Sequence, residues 1–162
     1  MKGTLGQAGA LVGQGFDLVC CHGVLMYLPD LRASISSLVQ LTRSGGLVSV
    51  LTRNRAGIAM RAGMVKDWPG TLRGFDAHTY TNRLDIEEVR ADEPDEVLAA
   101  LEREGADVIA WYGVRLFTDH WADEPVGTHF DQLLEAEEQA GRREPYRRLA
   151  SLTHVVATRA PT

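Results

Sequence analysis

The chain has 162 residues, of which 44% are hydrophobic and 24% charged, and its net charge is −5. That length suggests one domain, able to bury roughly 70% of the surface an unfolded chain exposes, with a composition ordinary for a soluble globular protein. No apolar run approaches membrane-spanning length and the start lacks a basic-then-apolar signal pattern, so a cytoplasmic address is expected.

Residues 1–15 are Gly-rich and sparse in large apolar groups. Gly13-x-Gly15 is preceded by no strand and followed by a strand rather than a helix, so it reads as a connecting loop and not as a nucleotide-binding turn. Residues 16–21 (Phe-Asp-Leu-Val-Cys-Cys) read as a buried parallel strand. Cys20 and Cys21 are adjacent and point to opposite faces, which argues against a disulfide or metal knuckle and for two buried small hydrophobes. Leu31, Ile35, Leu38 and Val39 follow at helical spacing after Pro29-Asp30, predicting a helix over 30–43 that Ser44-Gly45-Gly46 ends with a left-handed glycine cap. Residues 47–52 form a second buried strand, which completes a βαβ unit with a parallel strand pair.

Residues 54–92 have no clean period and read as an irregular insertion with one or two short helices. A helix opens at Pro94, turns Val97, Leu98 and Leu101 inward and ends at Gly105. Residues 108–117 read as a long strand, 127–141 as a helix and 154–158 as a last short strand. The chain is thus an α/β protein with a mostly parallel sheet. Its charge is uneven. Residues 51–83 carry +4, residues 84–140 carry −14 and residues 141–162 carry +4. This pattern reads either as solvated surface or as two basic segments facing a polyanion.

The block at 16–30, Phe-Asp-Leu-Val-Cys-Cys-His-Gly-Val-Leu-Met-Tyr-Leu-Pro-Asp, resembles the fourth strand and following turn of class I S-adenosylmethionine-dependent methyltransferases. Leu41-Thr42-Arg43-Ser44-Gly45-Gly46-Leu47-Val48-Ser49-Val50 resembles the strand entry that comes next in them, with Ser44 where proline is common. Further along, Asn54-x-x-Gly57-x-x-Met60, the run Trp111 to Phe117 with Asp119, and Glu144-Pro145-Tyr146-Arg147 with His154 recur in order. Together they are similar to the methyltransferases that esterify 5-carboxymethoxyuridine at the tRNA wobble position. The resemblance spans about residues 16–158. It implies a partial Rossmann-like sheet, mostly parallel with an antiparallel last strand, that lacks the N-terminal strands and the glycine-rich cofactor loop. A chain of that kind is expected either to be a fragment or to present its first strand as an exposed apolar edge. Such an edge invites a second chain or self-association.

The same resemblance implies S-adenosyl-L-methionine as cofactor, with His22, Gly23 and Val24 at the carboxyl end of the first strand as the residues contacting it. The acceptor is expected to be tRNA or a small carboxylate. Arg115, read as buried inside an apolar strand, is either half of a structural ion pair or a fork for the acceptor carboxylate, helped by Tyr146. Arg53, Asn54, Arg55 and Arg147 are candidates for the mouth of the substrate site. Arg61, Lys66 and Arg73 are candidates for phosphate contacts. Trp68, Phe75 and Tyr80 are either base-stacking platforms or core anchors of the insertion. His120, Asp123 and Glu124 match no zinc spacing. Neither a nucleophile elbow nor a Walker loop occurs. The alternatives kept are a non-catalytic partner chain, a small-molecule methyltransferase and half of an unrelated dinucleotide-binding dehydrogenase.

Overall fold

The computed structural model describes residues 2–82, 84–121, 125 and 127–161. By packing, the chain falls into two compact units. Unit 1 takes the described residues up to Thr52, Pro94–Trp111 and the stretch from His154 onward; unit 2 takes Arg53–Glu93 and Tyr112–Thr153.

Unit 1 carries most of a four-stranded sheet. Its strands β1 (Phe16–His22), β2 (Thr42–Arg53), β5 (Ala106–Val114) and β6 (Leu152–Arg159) lie in the order β1-β2-β6-β5. β1 and β2 pair in parallel, as the βαβ reading expects. Arg159, the last residue of β6, donates to the Thr42 carbonyl at the start of β2, and Ala160 N donates to the Gly105 carbonyl just ahead of β5. The end of β6 therefore meets the start of both neighbours, so it runs antiparallel to them.

The crossover helix α2 (Leu31–Leu41) is capped by Asp30, whose carboxylate accepts from Ala33 N at 3.0 Å. Its Ile35, Leu38 and Val39 pack with Val48 and Val50 of β2, Val97 and Leu101 of α5 (Pro94–Arg103), and Val155 of β6. Fully burying each such side chain contributes about 1.5–3 kcal/mol.

Three expectations need correction here. Ser44-Gly45-Gly46 does not cap α2. The helix stops at Leu41, Thr42 is already extended, and its hydroxyl donates to the Leu38 carbonyl at 2.9 Å. The glycines sit in β2 instead, where the register runs from Phe16↔Thr42 to Leu18↔Leu47, two residues on β1 against five on β2. Gly45 takes φ +70° in that bulge, a conformation glycine adopts without steric cost. Second, only Cys21 is a buried hydrophobe; Cys20 is exposed on the opposite face. Third, β1 is not the buried strand read from residues 16–21, since Cys21 alone of its seven residues is buried. Residues 1–15 hold a short helix, α1 (Ala8–Val12). Gly13 and Gly15 follow it and precede β1, so they lie between a helix and a strand.

β1 is the outer strand of the sheet among the described residues, with Phe16 40% and Leu18 53% exposed beside Leu47 at 37%. The reason is visible in the alternation: Cys21 faces the helices, while Phe16, Leu18 and Cys20 face away from them.

Unit 2 holds the insertion, which forms α3 (Ala56–Met64), α4 (Trp68–Gly74) and a small antiparallel pair, β3 (Thr79–Tyr80) with β4 (Val89–Arg90). α6 (Phe130–Arg142) and α7 (Tyr146–Leu149) complete it. α3 and α4 cross through small residues. A Cβ on Gly74 would lie 2.9 Å from the backbone of Ala59, so only glycine allows this approach.

Candidate functional site

In unit 1 a hydrogen-bonded row crosses three strands. His22 ends β1, and its Nε2 lies 2.8 Å from the Ser49 hydroxyl on β2, which lies 2.9 Å from His154 Nε2 on β6. The two imidazoles meet edge to face, 5.3 Å between centroids. A hydroxyl has one proton and two lone pairs, so Ser49 can donate to only one of the two rings and must accept from the other. Burial, and then the neighbouring His22, lowers the pKa of His154. Because its folded value lies below the unfolded one, its contribution to stability is present above about pH 6.5 and is lost as pH falls through the folded value. The urea midpoint is expected to drop as pH falls below about 6.5. His154→Gln should remove that part of the slope; an unchanged slope would assign it to another group.

Directly after His22 the chain turns. Gly23 has φ +66°, and its N–H donates to the Leu51 carbonyl at 2.9 Å. Val24 and Tyr27 follow, 50% and 46% exposed. The turn stands at the carboxyl end of a parallel strand, where α/β sheets bind ligands. A Cβ built on Gly23 meets open space, so the backbone there is accessible to a ligand. His22, Gly23, Val24 and Tyr27 thus form a partly exposed stretch of mixed polarity.

In unit 2 charge is concentrated on one carboxylate. Asp119 Oδ2 lies 3.0 Å from Arg53 Nη1 and 3.6 Å from Arg61 Nε, and Oδ1 lies 3.4 Å from Arg115 Nη2. Burial alone would raise this carboxyl. The Arg53 guanidinium, a hydrogen bond from Ser151 and the Arg115 charge outweigh it, so Asp119 is held below the ordinary carboxylate range. Arg53 is itself buried. It donates to the Gly57 carbonyl at 3.1 Å and stacks over the Tyr80 ring at 4.9 Å. Its Nε is a buried donor with no hydrogen-bond partner among the described residues. Three guanidiniums on one carboxylate leave an excess of positive charge, which favours a further anion.

Several candidates fall differently from their sequence reading. Arg115 is not buried within a strand. β5 ends at Val114, and Arg115 takes φ +61° just beyond it with its side chain 44% exposed. Leu116 and Phe117 continue the apolar pattern of the strand in sequence without belonging to it. Their N–H groups are instead taken by the Glu137 carboxylate, at 2.9 and 3.0 Å. Asn54 is wholly buried and committed to backbone. Its amide nitrogen donates to the carbonyls of Arg148 and Ala150, and its oxygen accepts from Ala56 N. It ties unit 2 together and has no donor left for a substrate.

Arg55 is held by the Ala77 carbonyl and by Glu93 at 3.4 Å, and Arg147 by Glu144 at 2.8 Å. Tyr146 opens α7 half exposed. Trp68 and Phe75 are not core anchors, being 63% and 64% exposed. Tyr80, partly buried beneath Arg53, is closer to one. His120 packs edge-on to Trp121, while Asp123 and Glu124 lie outside the described residues. No group of three or more metal-binding side chains occurs among the described residues. Ser49 and Asp119 join the site only in the structure. Both stand inside the motif blocks quoted above, but a lone serine on a strand and one acid among many carry no signal until folding assembles their partners.

The fold defined by this sheet is that of S-adenosylmethionine-dependent methyltransferases. It matches one from Archaeoglobus fulgidus with a TM-score of 0.56 at 10% identity, over 98% of this chain and 66% of that one. It matches another from Thermotoga maritima with a TM-score of 0.55 at 12% identity, over 98% and 62%. A methyltransferase from Haloferax volcanii, solved in complex with a methyltransferase activator protein, matches with a TM-score of 0.51 at 13% identity, over 92% and 56%. No family model matches the chain. In sequence the chain is similar to tRNA 5-carboxymethoxyuridine methyltransferase of Escherichia coli, 27% identical over 142 residues and 87% of this chain. It spans about half, 53%, of that relative's length. Among the described residues no helix is long and apolar enough to cross a membrane.

Proposed function

We propose that this chain serves an S-adenosylmethionine-dependent methyl transfer to a carboxylate, the acceptor being a carboxymethylated wobble uridine of tRNA. The similarity to the tRNA-modifying relative supports the substrate, and the observation that carries the reading is the excess of guanidinium charge around Asp119. Arg115 is its most exposed member and holds a left-handed backbone conformation, a strain that tends to persist where function demands it. In this reading His22, Gly23 and Val24 contact the cofactor, Arg115 with Tyr146 orients the acceptor carboxylate, and Arg53 and Arg61 hold Asp119 ionised behind it.

The bound sulfonium cofactor supplies an activated methyl and an excellent leaving group. The acceptor carboxylate is ionised at neutral pH and attacks without a general base. The protein's task is alignment and exclusion of water. Cytoplasm, where tRNA is modified, is the address this reading implies.

Titrating the chain with S-adenosylmethionine, then following labelled methyl into tRNA bearing 5-carboxymethoxyuridine, tests the proposal. Saturable binding and transfer are expected. The exposed edge of β1 favours one other reading, a methyltransferase-like chain that completes its site with a second chain covering that edge. Absence of cofactor binding by the chain alone would favour it.

A further inference from the structure

The three arginines around Asp119 do not share it evenly. Arg53 and Asp119 make a closed pair: Nη1 meets the carboxylate at 3.0 Å, Nη2 donates to the Gly57 carbonyl, and the two side chains are 7% and 9% exposed. That pair uses up the one negative charge. Arg61, on α3, and Arg115, just past β5, remain as two uncompensated cations. Arg61 Nε stands 3.6 Å from Oδ2 and Arg115 Nη2 stands 3.4 Å from Oδ1, so they reach different oxygens of the same carboxylate. Among the described residues neither makes a hydrogen bond or pairs with a second acid. Their charge bears on Asp119 while their guanidinium donors stay unused. With side chains 35% and 44% exposed, both are open to a solute.

We propose that Arg61 binds the 5′-phosphate of the acceptor nucleotide while Arg115 holds its carboxylate, so that the site selects a 5′-phosphorylated nucleotide over a free acid. The inference rests on the carboxymethylated uridine as acceptor and adds a second anion to its recognition. In a pyrimidine nucleotide with its base anti, the C5–C6 edge faces the nucleotide's own 5′-phosphate, and the 3′-phosphate lies across the ribose. A carboxylate carried at C5 therefore stands beside the 5′-phosphate. The two anions need two cations a short distance apart, and Arg61 and Arg115 are separated by no more than one carboxylate and its two contacts. The charges also match. A carboxylate and a phosphodiester carry one negative charge each, and a guanidinium fork fits the oxygens of either.

Isothermal titration calorimetry tests it on the whole chain. The probes are 5-carboxymethoxyuridine, its 5′-methylphosphate diester and its 3′-methylphosphate diester, the last two equal in charge. The 5′ diester should bind about ten-fold more tightly than the nucleoside, the scale of one hydrogen-bonded charge contact, and clearly more tightly than the 3′ diester. Arg61→Gln should abolish that advantage, and Arg61→Lys should restore part of it. Arg115→Met should weaken both the nucleoside and the 5′ diester and keep their ratio. Equal binding of nucleoside and 5′ diester would overturn the proposal, since one carboxylate would then bridge both arginines. Equal binding of the two diesters would overturn it by reducing the effect to net charge. An advantage that survives Arg61→Gln would place the phosphate elsewhere, and absence of binding by all three probes would also end it. A 5′-phosphate advantage without methyl transfer would defeat the enzymatic reading and leave this one standing. Methyl transfer that is equally efficient with and without the 5′-phosphate would do the reverse.

Discussion

Asp119→Asn is expected to cost about 3–5 kcal/mol of folding stability, because it strands a buried cation. The Arg53 side chain is only 7% exposed, and the carboxylate at 3.0 Å is its sole charged partner among the described residues. Its Nε already lacks a hydrogen-bond partner, and its other contacts, the Gly57 carbonyl and the Tyr80 ring, carry no full negative charge to replace the carboxylate. Chemical denaturation measures the loss. A cost under about 1 kcal/mol, typical of an exposed pair, would mean that solvent reaches Arg53. The paired change Arg53→Met with Asp119→Leu should recover most of the stability, since replacing both ions with apolar groups removes the desolvation cost along with the attraction. The pH dependence has a definite sign. The folded pKa of Asp119 is depressed, so its contribution is present above the unfolded value of about 3.9 and is lost as pH falls through the lower folded value.

The sequence made the sheet legible where side-chain period and connection handedness act locally. α2, β2 and α5 each bury a face whose spacing is visible in the chain, and the βαβ connection then leaves only a parallel pairing for β1 and β2. What escaped was set by partners far away in sequence. The apolar run 111–117 looks continuous, yet Glu137, some twenty residues on, captures the backbone at Leu116 and Phe117 and ends the strand. Arg115 stands among apolar neighbours in sequence, yet in the fold it lies just past the strand end, 44% exposed. Asn54, read as a site residue, sits at the end of β2 and its amide is used up by carbonyls more than ninety residues away. The glycines at 45–46 are an equally local pattern with two solutions, a helix cap or a bulge, and the pairing with β1 chose the bulge. Ser49 and Asp119 gain meaning only through His22 and His154, or through three arginines, that folding brings to them.

Arg115→Met is expected to lower methyl-ester formation on a carboxylate acceptor by about 100-fold, the scale at which a misaligned acceptor slows an in-line transfer. Its side chain is 44% exposed and its contact with Asp119 is 3.4 Å, so losing that contact costs the fold little. Cofactor binding, assigned to His22, Gly23 and Val24 in unit 1, should be untouched. A second variant separates chemistry from backbone strain. Arg115 holds φ +61°, which costs an ordinary residue roughly 1–2 kcal/mol and glycine nothing. Arg115→Gly should therefore be at least as stable as the parent in denaturation and yet as impaired in transfer as Arg115→Met. Impairment in both, with stability moving in opposite directions or not at all, can come only from loss of the guanidinium. Near-normal transfer by both variants would remove Arg115 from the acceptor site. The excess charge around Asp119 would then rest on Arg53 and Arg61 alone, and the strained backbone would be a consequence of how Glu137 pins the turn after β5.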